Sequence, residues 1–379
     1  MKTALIHDHL AQDGGAEKVL KVFSEMFSEA PIFTLLTEKK QVNKYFADKK
    51  IETSIIQKLP WGVKRYQWYL ALMPLAVEFF DLRAYDLIIS DTSSFAKGVI
   101  TSPESLHICY CHTPTRYLWS DTHQYINELK FNKFFKKIIS LSLSKIRLWD
   151  YNAAQRVDFF IANSKTVQKR IEKYYRRDSV VIYPPVETKK FYIKKEKSGE
   201  TEKYFLVGCR LAPYKRVDIV IEAFKRLGEE YKLKIFGDGV DLARLKKISA
   251  DAKNIEFLGR VSDPHKADLY SGAEAFINPQ EEDFGITVVE SMASGRPVIA
   301  YKKGGATETV VEGKTGLFFE EQSADEIYET IKKFEASNFK PEEIRTYAEK
   351  FSVENFRNKI EAYISWAKKG AKEEFPFSE

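Results

Sequence analysis

The chain has 379 residues, 44% of them hydrophobic and 30% charged, with a formal net charge of +6. That length predicts two domains, each with enough apolar content for its own core, and the composition excludes disordered and fibrous classes. The charge alone is too weak for a nucleic-acid binder, but it suits anionic small molecules or an anionic membrane surface.

The start, MKTALIHDHL, has one Lys and a short apolar run broken by His7, Asp8 and His9. It predicts a strand from Thr3 to Ile6 and no secretory signal, so a cytoplasmic location is the default expectation. Gly14-Gly15 follows in a loop. Val19, Leu20, Phe23 and Met26 then fall at helical spacing. Strand-like runs recur at APIFTLL, YDLIISD, SLHICYC, VDFFIAN and SVVIYPP, with helical stretches between them. The His107 to His112 run, HICYCH, invites a metal reading. It reads better as a buried strand whose cysteines are small hydrophobes, since no second Cys/His pair completes a tetrahedral site. Three cysteines in all argue against a disulfide framework.

Pro184-Pro185 ends the last strand of the first half, and Lys189 to Lys203 reads as a polar linker. The pattern then restarts with strand YFLVGCR, loop LAPYKR and helix VDIVIEAFKRL. Strands KLKIFG, IEFLG, EAFINP, PVIAY and GLFFE follow. Such alternation predicts an α/β protein of two tandem, Rossmann-like, doubly wound parallel-sheet domains, 1–187 and 188–354. Ligands belong beyond the carboxyl ends of the strands, and the cleft between domains is the expected active site. The final amphipathic segment, within 355–379, packs either on the second domain or back on the first; both stay open.

The most informative segment runs from Pro279 to Tyr301, PQEEDFGITVVESMASGRPVIAY. Glu282 lies on a loop after a strand. Gly285 permits a tight entry into a helix that carries Glu290 about one turn in. The unpaired first-turn amides of such a helix suit hydroxyl or phosphate oxygens, and two carboxylates beside it can accept from sugar hydroxyls. Taken alone, the pair equally describes solvated acids at a helix start. Arg210 and Lys215 leave one strand end five residues apart, where two cations can hold a diphosphate as it leaves. A solvated basic loop is the plain alternative.

These segments resemble the signature of family 4 retaining glycosyltransferases, whose fold is GT-B. By that resemblance Glu282 contacts the donor sugar and Glu290 the nucleotide ribose. Phe284-Gly285 presents backbone amides to the sugar, with Asp283, Ile286 and Thr287 in the same turn. Arg210 and Lys215 bind the donor phosphates, although Cys209 is inserted between Gly208 and Arg210. Gly14-Gly15-Ala16-Glu17 resembles the N-terminal glycine loop, which in the family faces the diphosphate and acceptor. His112, in CHTP after a strand, reaches the donor sugar. Gly259-Arg260-Val261 corresponds to the base-binding loop. Asn163-Ser164, VIYPPVE and GGATETV are weaker matches. Because no carboxylate nucleophile is evident, the leaving diphosphate is expected to deprotonate the acceptor on the same face, the enzyme acting by positioning and electrostatics.

The resemblance implies a nucleotide diphosphate sugar as substrate and no cofactor; with no Asp-x-Asp motif found, no metal is expected. Asp283 and Thr287 bring the segment closer to users of GDP-mannose, with UDP-hexoses as the alternative. Lys130 to Trp149 carries six Lys/Arg and no acid among aromatic and aliphatic residues. It predicts a helix lying on an anionic bilayer or packed on the sheet. A saccharide or lipid-linked saccharide acceptor at the inner membrane face would follow from the former. The rivals are a nucleotide-sugar epimerase of this fold and a non-catalytic binding protein.

Overall fold

The computed structural model describes residues 1–12, 14–128, 132–194, 203–371 and 375–376. It divides into two compact units, Met1–Tyr183 with Arg357–Glu379, and Pro184–Phe356. Pro184 to Glu187 thus belong with the second unit rather than the first. Val186 bridges to Ser352 there, and the Thr188 hydroxyl donates to Glu349 at 2.9 Å. Thr188–Lys190, at the start of the expected linker, forms a 3-10 turn; residues 195–202 of that linker lie outside the described residues.

The first unit holds a seven-stranded sheet of β1 (Thr3–His7), β2 (Ile32–Thr34), β3 (Ile51–Thr53), β4 (Leu87–Thr92), β5 (Leu106–Cys111), β6 (Phe159–Ala162) and β7 (Ser179–Val181). Its order is β3-β2-β1-β4-β5-β6-β7, all parallel. β1 and β4 are buried along their whole length, as a parallel sheet covered on both faces requires. One cluster, including Ile6, Phe33, Ile88, Phe95 and Ile146, covers one region of the sheet. Another, including Cys109, Phe160, Val167 and Ile171, covers the strands beyond it. Three-residue β3 carries only IET, too short and too polar for its pattern to announce it.

The second unit holds β8 (Tyr204–Gly208), β9 (Lys232–Phe236), β10 (Ile255–Gly259), β11 (Phe276–Asn278), β12 (Val298–Tyr301) and β13 (Gly316–Phe319), ordered β10-β9-β8-β11-β12-β13 and again parallel. Its core centres on the helix Val217–Leu227, whose Val220, Ile221 and Phe224 pack with Val207, Ile235 and Ile277 of the strands.

In each sheet the strand order reverses once, between β1 and β4 and between β8 and β11. Successive crossovers there leave in opposite directions and open a crevice beyond the strand ends. The terminal helix Val353–Lys368 starts in the second unit and continues in the first. On the first unit Tyr363 donates to the Phe160 carbonyl at 3.1 Å, and Trp366 packs on Phe159.

Candidate active site

In the second unit the reversal point gathers the residues after β8 and β11. Lys215 closes a 3-10 turn, Pro213–Lys215, and its ammonium meets the Glu282 carboxylate. Burial disfavours the Lys215 charge, yet Glu282 and Tyr214 hold the ammonium above its ordinary range. Gln280 donates to the same Glu282 oxygen at 2.9 Å. The partners remain accessible, Lys215 at 14% and Glu282 at 23%. Arg210 is exposed, and its guanidinium donates to the Tyr214 hydroxyl at 2.8 Å. Cys209, beside this loop, is pushed up to about 12 by burial and is no nucleophile at neutral pH.

The backbone of Glu282 is pinned by Gly304-Gly305, whose Gly305 amide donates to the Glu282 carbonyl at 2.8 Å. A Cβ on Gly305 would stand 2.4 Å from the Phe284 Cα, so only glycine allows this approach. Phe284 is buried against Phe351 and anchors the turn from inside. Gly285 caps the helix Ile286–Ala293 at φ +90°, a conformation open to glycine. The chain therefore reverses sharply between Glu282 and the helix start, with Asp283 in the turn and Ile286 and Thr287 opening the helix.

Glu290 sits one turn into that helix and is only 2% exposed, so it is no solvated helix-start acid. Lys266 donates to one of its oxygens at 2.9 Å and the Tyr270 hydroxyl to the other at 3.2 Å. Burial and the Glu290 charge raise the Tyr270 phenol well above its ordinary value, so it stays a donor. Sequence reasoning missed Lys266 and Tyr270. Their signal is the i, i+4 spacing on one face of the helix Asp263–Gly272, four residues beyond Gly259. Gly259-Arg260-Val261 closes β10. Gly259 accepts from the Gly237 amide at 2.7 Å, and exposed Arg260 pairs with Asp238 at 3.3 Å.

In the first unit, Gly14 caps the helix Gly15–Met26 directly after β1. His112 leaves the end of β5, and its Nε2 donates to Asp91 Oδ1 at 2.6 Å. His7 Nδ1 donates to Asp91 Oδ2 at 2.8 Å, and His7 Nε2 faces Glu17 Oε1 at 3.9 Å. Burial opposes a charge on His7, but its contacts with Asp91 and Glu17 prevail and raise it to about 10. Burial likewise opposes ionisation of Asp91, but the two imidazoles hold its carboxyl low. Behind this set the Asp8 carboxylate accepts from the amides of Ser93, Phe95 and Ala96, tying β1 to the turn after β4. His7 and Asp91 lie far apart in sequence and belong to no local motif, whereas Glu17 ends the Gly14-Gly15-Ala16-Glu17 segment.

His107, by contrast, points inward, is fully buried, and is held to about 3 by burial and by Arg156. Cys109 and Cys111 are buried free thiols on the same strand. Among the described residues no three His, Cys, Asp or Glu side chains are grouped to hold a metal. Of Lys130 to Trp149, Lys130 and Phe131 lie outside the described residues, as do the side chains of Lys133, Phe134, Phe135 and Ile138. Farther along, Leu143 and Ile146 are buried while Leu141 and Leu148 are exposed. No described helix is long and apolar enough to cross a membrane.

The model of the family "Glycosyltransferase Family 4" matches residues 14–190, and that of "Glycosyl transferases group 1" matches 188–351. An uncharacterized glycosyltransferase of Methanocaldococcus jannaschii is 30% identical over 182 residues, 47% of this chain and 50% of that one. A GDP-mannose-dependent monoacylated alpha-(1-6)-phosphatidylinositol monomannoside mannosyltransferase of Corynebacterium glutamicum is 31% identical over 151 residues, 36% of this chain and 39% of that one. The matches thus span about half or less of these relatives' length. HepE of Anabaena, solved with UDP, superposes with a TM-score of 0.71 at 19% identity, over 96% of this chain and all of that one. The two family models together span residues 14–351, and the chain belongs to the family 4 glycosyltransferases of GT-B fold.

Proposed function

We propose that the chain transfers a hexose, mannose from GDP-mannose, to a saccharide or lipid-linked saccharide acceptor, with retention of configuration and without a metal. The observation that carries this reading is the second unit's reversal point. There an accessible Lys215–Glu282 pair faces a glycine-led helix start, with buried Glu290 one turn behind. Lys215 and Arg210 are the cations for the leaving diphosphate, Glu282 the acceptor for sugar hydroxyls, and Glu290 the acceptor for the ribose. The GDP-mannose-dependent bacterial relative supports the donor assignment. UDP bound to HepE favours a UDP-hexose as the second reading.

A lipid-linked acceptor draws support from residues 55–79 of the first unit. Trp61, Trp68 and Phe79 are each 60% exposed or more, and Lys58, Lys64 and Arg65 stand among them without an acid between Glu52 and Glu78. Arg65 lies over the Trp68 ring at 4.5 Å. Aromatics with interspersed cations suit the headgroup region of an anionic bilayer, here its inner face.

Titration calorimetry with GDP and UDP tests the donor: tighter UDP binding overturns GDP-mannose and leaves a UDP-hexose. Transfer is expected to persist undiminished in EDTA. Its loss there, with rescue by Mg²⁺ or Mn²⁺, would refute metal independence.

A further inference from the structure

Among the described residues, the first unit's reversal point leaves two buried polar atoms without a partner, His9 Nδ1 and Glu17 Oε2, and the carboxylate oxygen is the more costly to leave so. Glu17 is 3% exposed, and its Oε2 has no hydrogen-bond partner among the described residues. Glu17 is the third residue of its helix, where a carboxylate commonly folds back to cap the helix start. Here no side chain caps it. Oε2 instead lies over Gly14, 3.0 Å from where a Cβ on that glycine would stand. A buried carboxylate oxygen left unpaired costs about 1–3 kcal/mol or more, so a site that keeps one has a use for it.

Resting on the glycosyltransferase reading, we propose that Glu17 Oε2 binds substrate, accepting a hydrogen bond from a hydroxyl of a hexose that lies over Gly14-Gly15. The neighbours fit that task. His7, held by Asp91, faces the other Glu17 oxygen at 3.9 Å and leaves Oε2 to a ligand. His112 stands beside this set at the end of β5, its Nε2 on Asp91 Oδ1 at 2.6 Å. The Gly14 φ of −141° suits any residue, so the glycine is accounted for by the close approach of Oε2, 3.0 Å from where its Cβ would stand. A hexose offers several hydroxyl donors to Oε2, whereas an ionised phosphate ester has no hydrogen to donate to it. Oε2 is therefore matched to a sugar hydroxyl.

The hexose can be that of the donor or that of the acceptor, and Glu17→Gln separates them. It keeps size and removes the charge. GDP affinity, carried by the second unit, is expected to stay at the wild-type value, as is the melting temperature. If the donor hexose is bound, affinity for GDP-mannose and its hydrolysis without acceptor fall roughly 10- to 100-fold. If the acceptor hexose is bound, those hold and the KM for octyl α-mannoside rises by that factor instead. Wild-type values in both arms overturn the proposal, as does a loss of GDP affinity matching the loss for GDP-mannose. Should Glu17→Gln not fold, Glu17→Asp shortens the side chain, withdraws the oxygen and keeps the charge, and is expected to give the same pattern; unchanged sugar binding in that variant overturns it equally. If the wild type binds no nucleotide sugar, the glycosyltransferase reading fails instead.

Discussion

The second unit's reversal point is built from two short segments, residues 208–215 and 278–290, and stays open to solvent at Lys215 and Glu282. The first unit's gathers His7, Glu17, Asp91 and His112 from the ends of β1, β4 and β5 and from the helix after β1. Three of these four are 3% exposed or less. The contrast is one of exchangeable against fixed charge. An accessible ion pair can trade its partner for a ligand at small cost, because water screens both states. A dry chain of carboxylates and imidazoles cannot, since each charge depends on its neighbour for the solvation it has lost. The first set is therefore a scaffold that holds His112 and Glu17 in place, and the second is a set of groups that a ligand can recruit.

Removing Asp91 strikes the scaffold where it is most interdependent. Asp91→Ala leaves His7 buried beside a single distant carboxylate and is expected to cost about 3–5 kcal/mol of stability. Urea unfolding measures it; a loss under 1 kcal/mol would mean that the dry chain bears no load. In the open site the same logic predicts a folded protein with slow chemistry. Lys215→Ala and Arg210→Ala are each expected to lower turnover roughly 100- to 1000-fold with the melting temperature little changed. Near-normal kinetics in a folded double variant would remove both from the diphosphate site.

Within the second unit the two glutamates differ in depth, and so should their ligands. Glu290→Ala is expected to weaken GDP and GDP-mannose alike, by about 1.5–3 kcal/mol. Glu282→Ala should spare GDP and weaken only the sugar nucleotide. Calorimetry on both variants decides, and equal loss of GDP would show the roles to be wrongly divided.

The smallest effect is a pH signature of the first unit. His7 is raised to about 10, so its contribution to stability is complete below the ordinary 6.5 and is lost as pH climbs toward 10. His107 is lowered to about 3, so the unfolded chain takes up its proton first and stability falls as pH drops from 6.5 toward 3. Melting temperature should decline on both sides of pH 6.5. His7→Asn should flatten the alkaline arm and leave the acid arm in place; an unchanged alkaline arm would show that His7 is not charged in the fold.

The alternation of apolar runs and amphipathic helices was enough to determine two parallel-sheet units. A strand buried on both faces must read as a continuous apolar run, and each helix must turn one apolar stripe inward. The segment from Glu282 to Glu290 was equally legible, because a strand end, a glycine turn and a helix start are local events. Lys266 and Tyr270 opposite Glu290 were decided by tertiary structure, since a helix face shows its spacing but not what it packs against. The His7–Asp91–His112 chain was decided the same way. β1, β4 and β5 lie side by side only after crossovers of many residues, and His7 meets Asp91 across 84 positions of sequence. The Asp91 and Glu17 contacts that charge His7, and the burial that leaves Glu17 an unpaired oxygen, exist only once the sheet has closed over them.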